Sequence, residues 1–540
     1  MTTPGANVPQ QVGPTADGQS QRPAGAPPPP PIRVQQETPQ RARTLTNRIQ
    51  VSGWRFQFHR LEHGLLRGET SMKHDPMRKQ SRSMGVGIAI AALICAGCVI
   101  GSLLSPRGQI KDHVILADKD SNALYVRING DLHPVLNLTS AQLIAGKAEA
   151  PTVVRSSELA ALPPAPLVGI PGAPERIPLP DPKVTEASWT VCDTAAAAGQ
   201  LKLTVVTGPV FTDDSIGALP DGKAVLARFG DETDLIYNGH RTPIDLADKS
   251  VTLAVGLDTS SPPPVPLSRG LHDALVPTPQ LVVPVIPAAG TPFPPEWPLP
   301  PQTVIGSLIK VRQVDGSEDQ LYVVLPDGLQ RISHVTAAIL RNADPNAPAQ
   351  PTEVPASALP SIPQSTALDI GFHPTKPLKL VDPVANPVLC QSWVMDRQDP
   401  QARITLLSGR ALPLPPDQRS RTTTLITKDP NGTTADNVYV RAGTGWLVQI
   451  SGGVPAAPTA ESSWWISDKG IRFGLADSGN AADASPQKSL GLTMPPLPIP
   501  WPVLKLLPQG LPLSRDDALL GHDGLQPDGQ PRAVIESKPN

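Results

Sequence analysis

MGVGIAIAALICAGCVIGSLL, residues Met84 to Leu104, is a run of 21 residues without a charge. At about 1.5 Å of rise per residue a helix of that length reaches ~30 Å, the thickness of a bilayer's hydrocarbon core. The stretch predicts one transmembrane helix. A secretory signal has a short basic start, an apolar core of about 7 to 15 residues and a small-residue cleavage site. Here 83 residues come first, so an uncleaved anchor is expected.

Charge on the two flanks sets the expected orientation. Arg78, Lys79 and Arg82 lie just before the span, with Arg67 and Lys73 close by, and Arg107 and Lys111 follow it. The positive-inside rule then places the N-terminus in the cytoplasm and everything after Ser105 in the periplasm, as a single-pass protein of the cell inner membrane. Residues 1–83 carry 12 Lys/Arg against 5 Asp/Glu, a net of +7, so the remaining 457 residues carry −9 to give the total of −2. The 436 residues after the span suffice for two or more domains. With 68 Pro and 43 Gly the chain stays below the level of about 25–30% that marks wholesale disorder, so an ordered, proline-stiffened β-rich body is expected.

Residues 1–40 are Pro, Gly, Gln and Ala with almost no bulky apolar side chains, and read as a disordered tail. Residues 41–83 form the expected cytosolic docking segment. Within it Val51, Trp54, Phe58, Leu61 and Leu65 recur at steps of 3, 4, 3 and 4, one face of an amphipathic helix suited to a partner or to anionic headgroups. A nucleic-acid arm is the rival for a basic stretch and is not favoured. Asp75-Pro76 reads as an N-cap followed by proline at the first helical position, from which the helix runs into the membrane. Inside the span Gly97 and Gly101 make a GxxxG pair for helix packing. Cys95 and Cys98 make a CxxC with no nearby Cys or His to complete a site, hence packing or lipid-facing thiols.

The run QVSGWRFQFHRLEHGLLRGETSMKHDPMRKQSRS, then the apolar span, then ILADKDSNALYVRINGDLHPVLNLTSAQLIAGKA, resembles the EccB component of actinobacterial type VII (ESX) secretion systems. The resemblance is close over residues 44–150 and continues more loosely to about residue 520, through LLPQGLPLSRDDALL. The family usually has Tyr where Trp54 stands. It implies a single-span structural subunit whose cytosolic segment packs with the EccC motor ATPase and the EccD and EccE membrane subunits, and whose periplasmic repeats associate with other copies of itself. The matching positions are Val51, Ser52, Gly53, Arg55 and Phe56, with Trp54, Phe58 and Leu61 beside them as docking residues, and Cys192 with Cys390 in the exported body.

That body shows an internal repeat at an offset of 197 residues: Leu124-Tyr125-Val126 matches Leu321-Tyr322-Val323, Leu132 matches Leu329, and Leu162-Pro163 matches Leu359-Pro360. Each copy reads as strand, turn (Asn129-Gly130 or Asp327-Gly328), strand, short helix. A weaker pair links LIYNGHRTPIDLAD with WISDKGIRFGLAD, hairpins around Gly239 and Gly470. The expected fold is a transmembrane helix plus an α+β extracytoplasmic domain over 105–520: small β-rich repeats near 112–163, 225–258, 309–363 and 438–492 around a pseudo-twofold core near 183–224 and 364–437, elongated, with 521–540 a second tail. Proline-rich stretches at 162–182, 261–301, 346–363 and 494–512 read as semi-rigid spacers between units.

Cys192 in SWTVC and Cys390 in CQSW follow matching repeats, 198 residues apart. Two thiols in duplicated settings in an oxidising compartment predict one disulfide.

No enzyme motif survives inspection. Gly217 to Lys223 satisfies GxxxxGK, but Ala224 stands where a Mg²⁺-binding hydroxyl is needed, Pro-Asp-Gly is a turn signal, and the segment falls on the side of the membrane without ATP. Gly217, Gly222 and Lys223 are therefore a near-miss, and no nucleotide site is expected. His133, His240, His334 and His373 are scattered, so no catalytic residue, metal set or cofactor is expected. The function expected is a structural core subunit of the secretion complex. The rival is a membrane-anchored module that binds cell-wall peptidoglycan.

Overall fold

The computed structural model describes residues 48–68, 76–104, 110, 112–195, 200–313, 318–397, 399–427, 433–452, 459–478 and 484–525. Residues 1–47 and 526–540 and the Asp75 N-cap lie outside the described residues. The chain divides into two compact units, Met1–Leu104 and Ser105–Asn540.

In the first unit, helix α1 spans Arg48–Arg67 and helix α2 spans Pro76–Leu104. Proline opens α2 because its missing N–H is one that a first turn leaves unbonded anyway. From there the helix continues without a break through the apolar run, and residues 82–100 have a mean hydropathy of 2.3 with none of that surface buried.

The second unit is built from small sheets that share one strand order. In the first of them Ile115–Asp118, Leu124–Ile128 and Asp131–Pro134 form an antiparallel meander, helix Leu138–Ala145 follows, and Thr152–Val154 returns parallel to the first strand. The second repeats this with Lys223–Phe229, Glu232–Tyr237, His240–Pro243, helix Lys249–Val255 and the return Val265–Pro266. The third uses Leu308–Val311, Gln320–Leu325, Gly328–Ile332, helix His334–Ala343 and Thr352–Val354. The fourth uses Trp446–Ser451, Thr459–Ile466, Arg472–Gly474, the short helix Pro486–Ser489 and Leu497–Pro500.

Local chemistry explains the recurrence. Asn129-Gly130 and Asn238-Gly239 turn with φ of 54° and 101°, and of 47° and 84°, the left-handed pair that a two-residue hairpin needs. Asn137, Asp248, Ser333 and Ser485 each cap the following helix by accepting a backbone N–H.

The proline-rich stretches are not spacers between these sheets. They are part of them. Leu497–Pro500 is a strand, Trp297, Leu299 and Ile305 are buried, and Leu504 in the following helix is fully buried. A proline lacks a donor but keeps a carbonyl acceptor. Leu132 N donates to Pro163 O at 2.9 Å and Leu329 N to Pro363 O at 2.8 Å, so the third strand of two sheets is bound by the segment read as a linker.

A seven-stranded sheet holds these pieces together, its strands in the spatial order Thr423–Thr424, Asn437–Tyr439, Leu201–Thr207, Glu186–Ala195, Val388–Asp396, Arg403–Gly409 and Ile216–Ala218. Asn437 to Tyr439 thus belongs to this sheet, and the fourth small sheet starts at Trp446. One large core unites Trp189, Val191 and Leu406 of the central sheet with Val225 and Ile236 of the second small sheet and Val448 and Ile499 of the fourth. A second core joins the first and fourth sheets through Val126, Leu143, Trp465 and Phe473. A third joins the helices of the second and third sheets through Val251, Val255, Val335 and Ile339. Gly521–His522 pairs with Leu167–Val168, so these two residues of the expected tail are strand.

Candidate functional site

The motif from Val51 to Phe56 lies in the first unit, and Cys192 and Cys390 lie in the second. On α1, Val51, Trp54, Phe58, Leu61 and Leu65 share a stripe, and Trp54 and Phe58, one turn apart, pack at a tilt of 42° with ring centroids 5.0 Å apart. All five side chains are exposed, Trp54 by 70% and Leu65 by 86%. An apolar stripe of this kind on a helix normally faces a partner. Phe56 is two residues from both rings, so at about 100° per residue it points to the opposite side, beside Ser52 and Gly53 rather than within the stripe. Gly97 and Gly101 both lie in α2, and Gly97 has nothing within 4 Å of where a Cβ would sit. Cys95 and Cys98 are free and exposed on the same helix.

Cys192 and Cys390 form the expected disulfide, with an S–S distance of 2.05 Å. They occupy facing positions on two adjacent inner strands of the central sheet, the fourth and fifth, in a register that also pairs Trp189 with Trp393. Both cysteines are fully buried, against Ile216, Val388 and Leu407. The bond therefore ties together two neighbouring strands that lie 198 residues apart in the sequence. Trp189 adds a second tie: its indole N–H donates to Pro498 O at 2.8 Å, and its ring packs edge-on against Trp446 at 5.6 Å.

The GxxxxGK segment is strand, turn and strand. Gly217 lies in strand Ile216–Ala218, a β-turn closes with Lys223 N donating to Pro220 O at 3.0 Å, Gly222 has φ of 77°, and Lys223 begins the next strand. A phosphate loop requires a helix N-terminus at that place. Among the scattered histidines, His133 lies 2.9 Å from Pro166 O, His240 3.2 Å from Asn238 O and His373 3.0 Å from Thr336 Oγ1.

Sequence reasoning missed one cluster. Glu232 and Asp234 alternate along one strand and so share a face. Helix Arg269–Ala274 sets His272 above them, where Phe229 stacks on the imidazole at 4.3 Å. His272 Nε2 is 3.8 Å from Glu232 Oε2 and 3.8 Å from Asp234 Oδ2. Its Nδ1 lies 3.3 Å from Asp273 Oδ1, and the other oxygen of Asp273 accepts from Lys505 Nζ. Asp234 is fully buried, its oxygens accept no hydrogen bond, and Arg241 Nη1 stands 3.6 Å from Oδ1. Burial pushes the Asp234 carboxyl above its ordinary range, against the pull of Arg241. Spacing along the chain does not reveal that residues 232, 234 and 272 meet.

Comparison with known proteins agrees along most of the chain. Residues 43–527 match the family model described as type VII secretion system ESX-1, transport TM domain B. The ESX-3 secretion system ATPase EccB3 of Mycobacterium tuberculosis (strain H37Rv) is 41% identical over 506 residues, covering 92% of this chain and 93% of the relative. The ESX-5 secretion system ATPase EccB5 of the same strain is 38% identical over 501 residues, covering 92% of this chain and 97% of its own. A chain of the intact ESX-5 inner membrane complex superposes with a TM-score of 0.70 at 36% identity, covering 92% of this chain and 99% of that one. The EccB3 dimer from the ESX-3 core complex gives 0.66 at 38% identity, covering 76% and 100%. With its apolar helix, mixed α/β body and braced central sheet, the chain belongs to the EccB family of type VII secretion membrane components.

Proposed function

We propose that this chain is a structural core subunit of a type VII (ESX) secretion complex in the inner membrane, anchoring membrane and motor subunits to a periplasmic scaffold. The observation that carries this is the match, along nearly the whole chain, to a subunit solved inside an ESX-5 inner membrane complex. The basic flank before α2 supports a cytoplasmic N-terminus and a periplasmic body. The uncovered stripe at Val51, Trp54, Phe58 and Leu61 is the proposed docking surface for the EccC motor and for EccD and EccE. The shared strand order of the four small sheets supports a duplicated, pseudo-twofold body, and the solved EccB3 dimer supports pairing with a second copy. Relatives carry the word ATPase in their names; here the one GxxxxGK segment is a turn between strands followed by Ala224, which favours a scaffold driven by another subunit.

Deleting residues 41–70 tests the reading. The expected result is a protein that still fractionates with membranes but no longer co-purifies with the motor subunit in mild detergent. Unchanged co-purification would count against it.

A cell-wall binding reading is favoured by one observation, a cavity of about 680 Å³ lined by Phe211, Tyr439, Trp446, Arg397 and Arg441. Flat rings and guanidinium groups suit sugars and carboxylates. Saturable retention on purified peptidoglycan, lost in Trp446→Ala, would support it.

A further inference from the structure

We propose that Glu232, Asp234 and His272 form a binding site for one divalent transition-metal ion, zinc being the ion the donor set suits best.

A buried carboxylate without hydrogen bonds is costly unless something cationic completes it. Arg241 approaches Oδ1 of Asp234 and leaves Oδ2 facing His272 Nε2, itself buried and without a hydrogen-bond partner. His272 Nδ1 lies against Asp273 Oδ1, and Nε2 faces Oδ2 of Asp234 and Oε2 of Glu232. That carboxylate-to-imidazole contact is how metal-bound histidines are usually oriented, and Lys505 in turn holds Asp273. Stacking of Phe229 on the ring fixes its plane.

The dimensions fit. The three ligand atoms lie within 4.8 Å of one another, and zinc bonds of about 2.0–2.2 Å to N and O place ligand atoms some 3.3 Å apart in a tetrahedron. Atoms 3.8 Å apart can share an ion at such bond lengths with a somewhat opened angle, and Glu232, with 48% of its side chain exposed, is free to adjust its own approach. One imidazole and two carboxylates leave a fourth position for water on the solvent side. Around the site stand three carboxylates, Glu232, Asp234 and Asp273, and two fixed cations, Arg241 and Lys505, so a divalent ion meets a net negative setting. Bound there, it would tie the second small sheet to helix Arg269–Ala274, whose Leu271 belongs to the large core.

The test uses the full chain in detergent micelles, stripped with chelator and titrated calorimetrically with ZnCl₂, with CaCl₂ as the hard-ion control. The expected result is one saturable zinc per chain and a thermal midpoint raised by zinc. Glu232→Gln, at the exposed rim where folding is not at stake, should weaken binding at least tenfold. His272→Gln should abolish both the heat and the shift. Lack of saturable zinc binding, or equal stoichiometry and affinity in wild type and both variants, would overturn the assignment.

Discussion

Cys192 and Cys390 face each other across the central antiparallel pair with Cα atoms 4.0 Å apart, although 198 residues separate them in the chain. Closing so long a loop restricts the unfolded chain most. The double variant Cys192→Ala/Cys390→Ala should lose about 2–5 kcal/mol, read from the guanidinium midpoint. A midpoint equal to wild type would mean that packing of the two strands alone supplies the hold.

Asp193, the next residue, accepts the Ser268 N–H at 2.7 Å through one oxygen, while the other has no hydrogen-bond partner. Burial pushes its carboxyl up from 3.8 to about 6, against the pull of Ser268. Between those values the folded chain holds a proton that the unfolded chain has released, so stability falls as pH rises through that window and stays lower above it. Asp193→Asn should therefore stabilise at pH 7.5, by up to ~3 kcal/mol, and be neutral near pH 4. Denaturant titrations at the two pH values check this; an equal effect at both would refute it.

His373 works in the opposite sense. Burial pushes its imidazole down to about 4, only partly offset by Asp369. As pH falls from 6.5 towards 4 the unfolded chain takes up a proton that the folded chain refuses, so stability drops with acidification. His373→Gln should flatten the acid limb of the thermal midpoint between pH 6.5 and 4.5 and unmask the rise that Asp193 contributes there. If the limb keeps its slope, the acid sensitivity lies elsewhere.

Gly470 has φ of 76°, and a Cβ there would stand 2.3 Å from Val438 Cγ1, at the seam between the fourth small sheet and the central one. Gly230 has φ of 60° with nothing within 4 Å. Gly230→Ala should cost about 1 kcal/mol from the backbone alone, and Gly470→Ala about 2–4 kcal/mol because overpacking adds to it. Equal midpoint shifts in the two variants would show the seam to be soft.

Much of this fold is legible in the sequence, and the reasons differ from place to place. The span is readable because lipid leaves a helix of that length no other pattern. The hairpins at Asn129-Gly130 and Asn238-Gly239 are readable because the left-handed turn admits few residue types. The pairing of Cys192 with Cys390 follows from their matching positions after two similar segments. Proline misled, because composition records the missing donor and not the carbonyl that remains; Pro163, Pro363 and Pro498 all act as acceptors. The cluster of Glu232, Asp234, His272 and Lys505 carries no local signal, since its members come from a strand, a helix and the residue that ends a second helix, spread from position 232 to position 505. Asp193 is hidden for the same reason: nothing adjacent tells that its carboxylate is enclosed.

The returning strand Leu497–Pro500 carries proline at two alternate positions, and Pro498 O is already taken by the Trp189 indole. Alternate residues aim their main-chain groups the same way, so that margin of the fourth sheet lacks amide hydrogens to offer a newcomer. A crowded assembly of identical subunits runs a standing risk of growing into ribbons through backbone pairing. Here that route is closed on one flank twice over, because the strand has no amide hydrogen to offer on that side and all four of its residues are buried within the chain's own core.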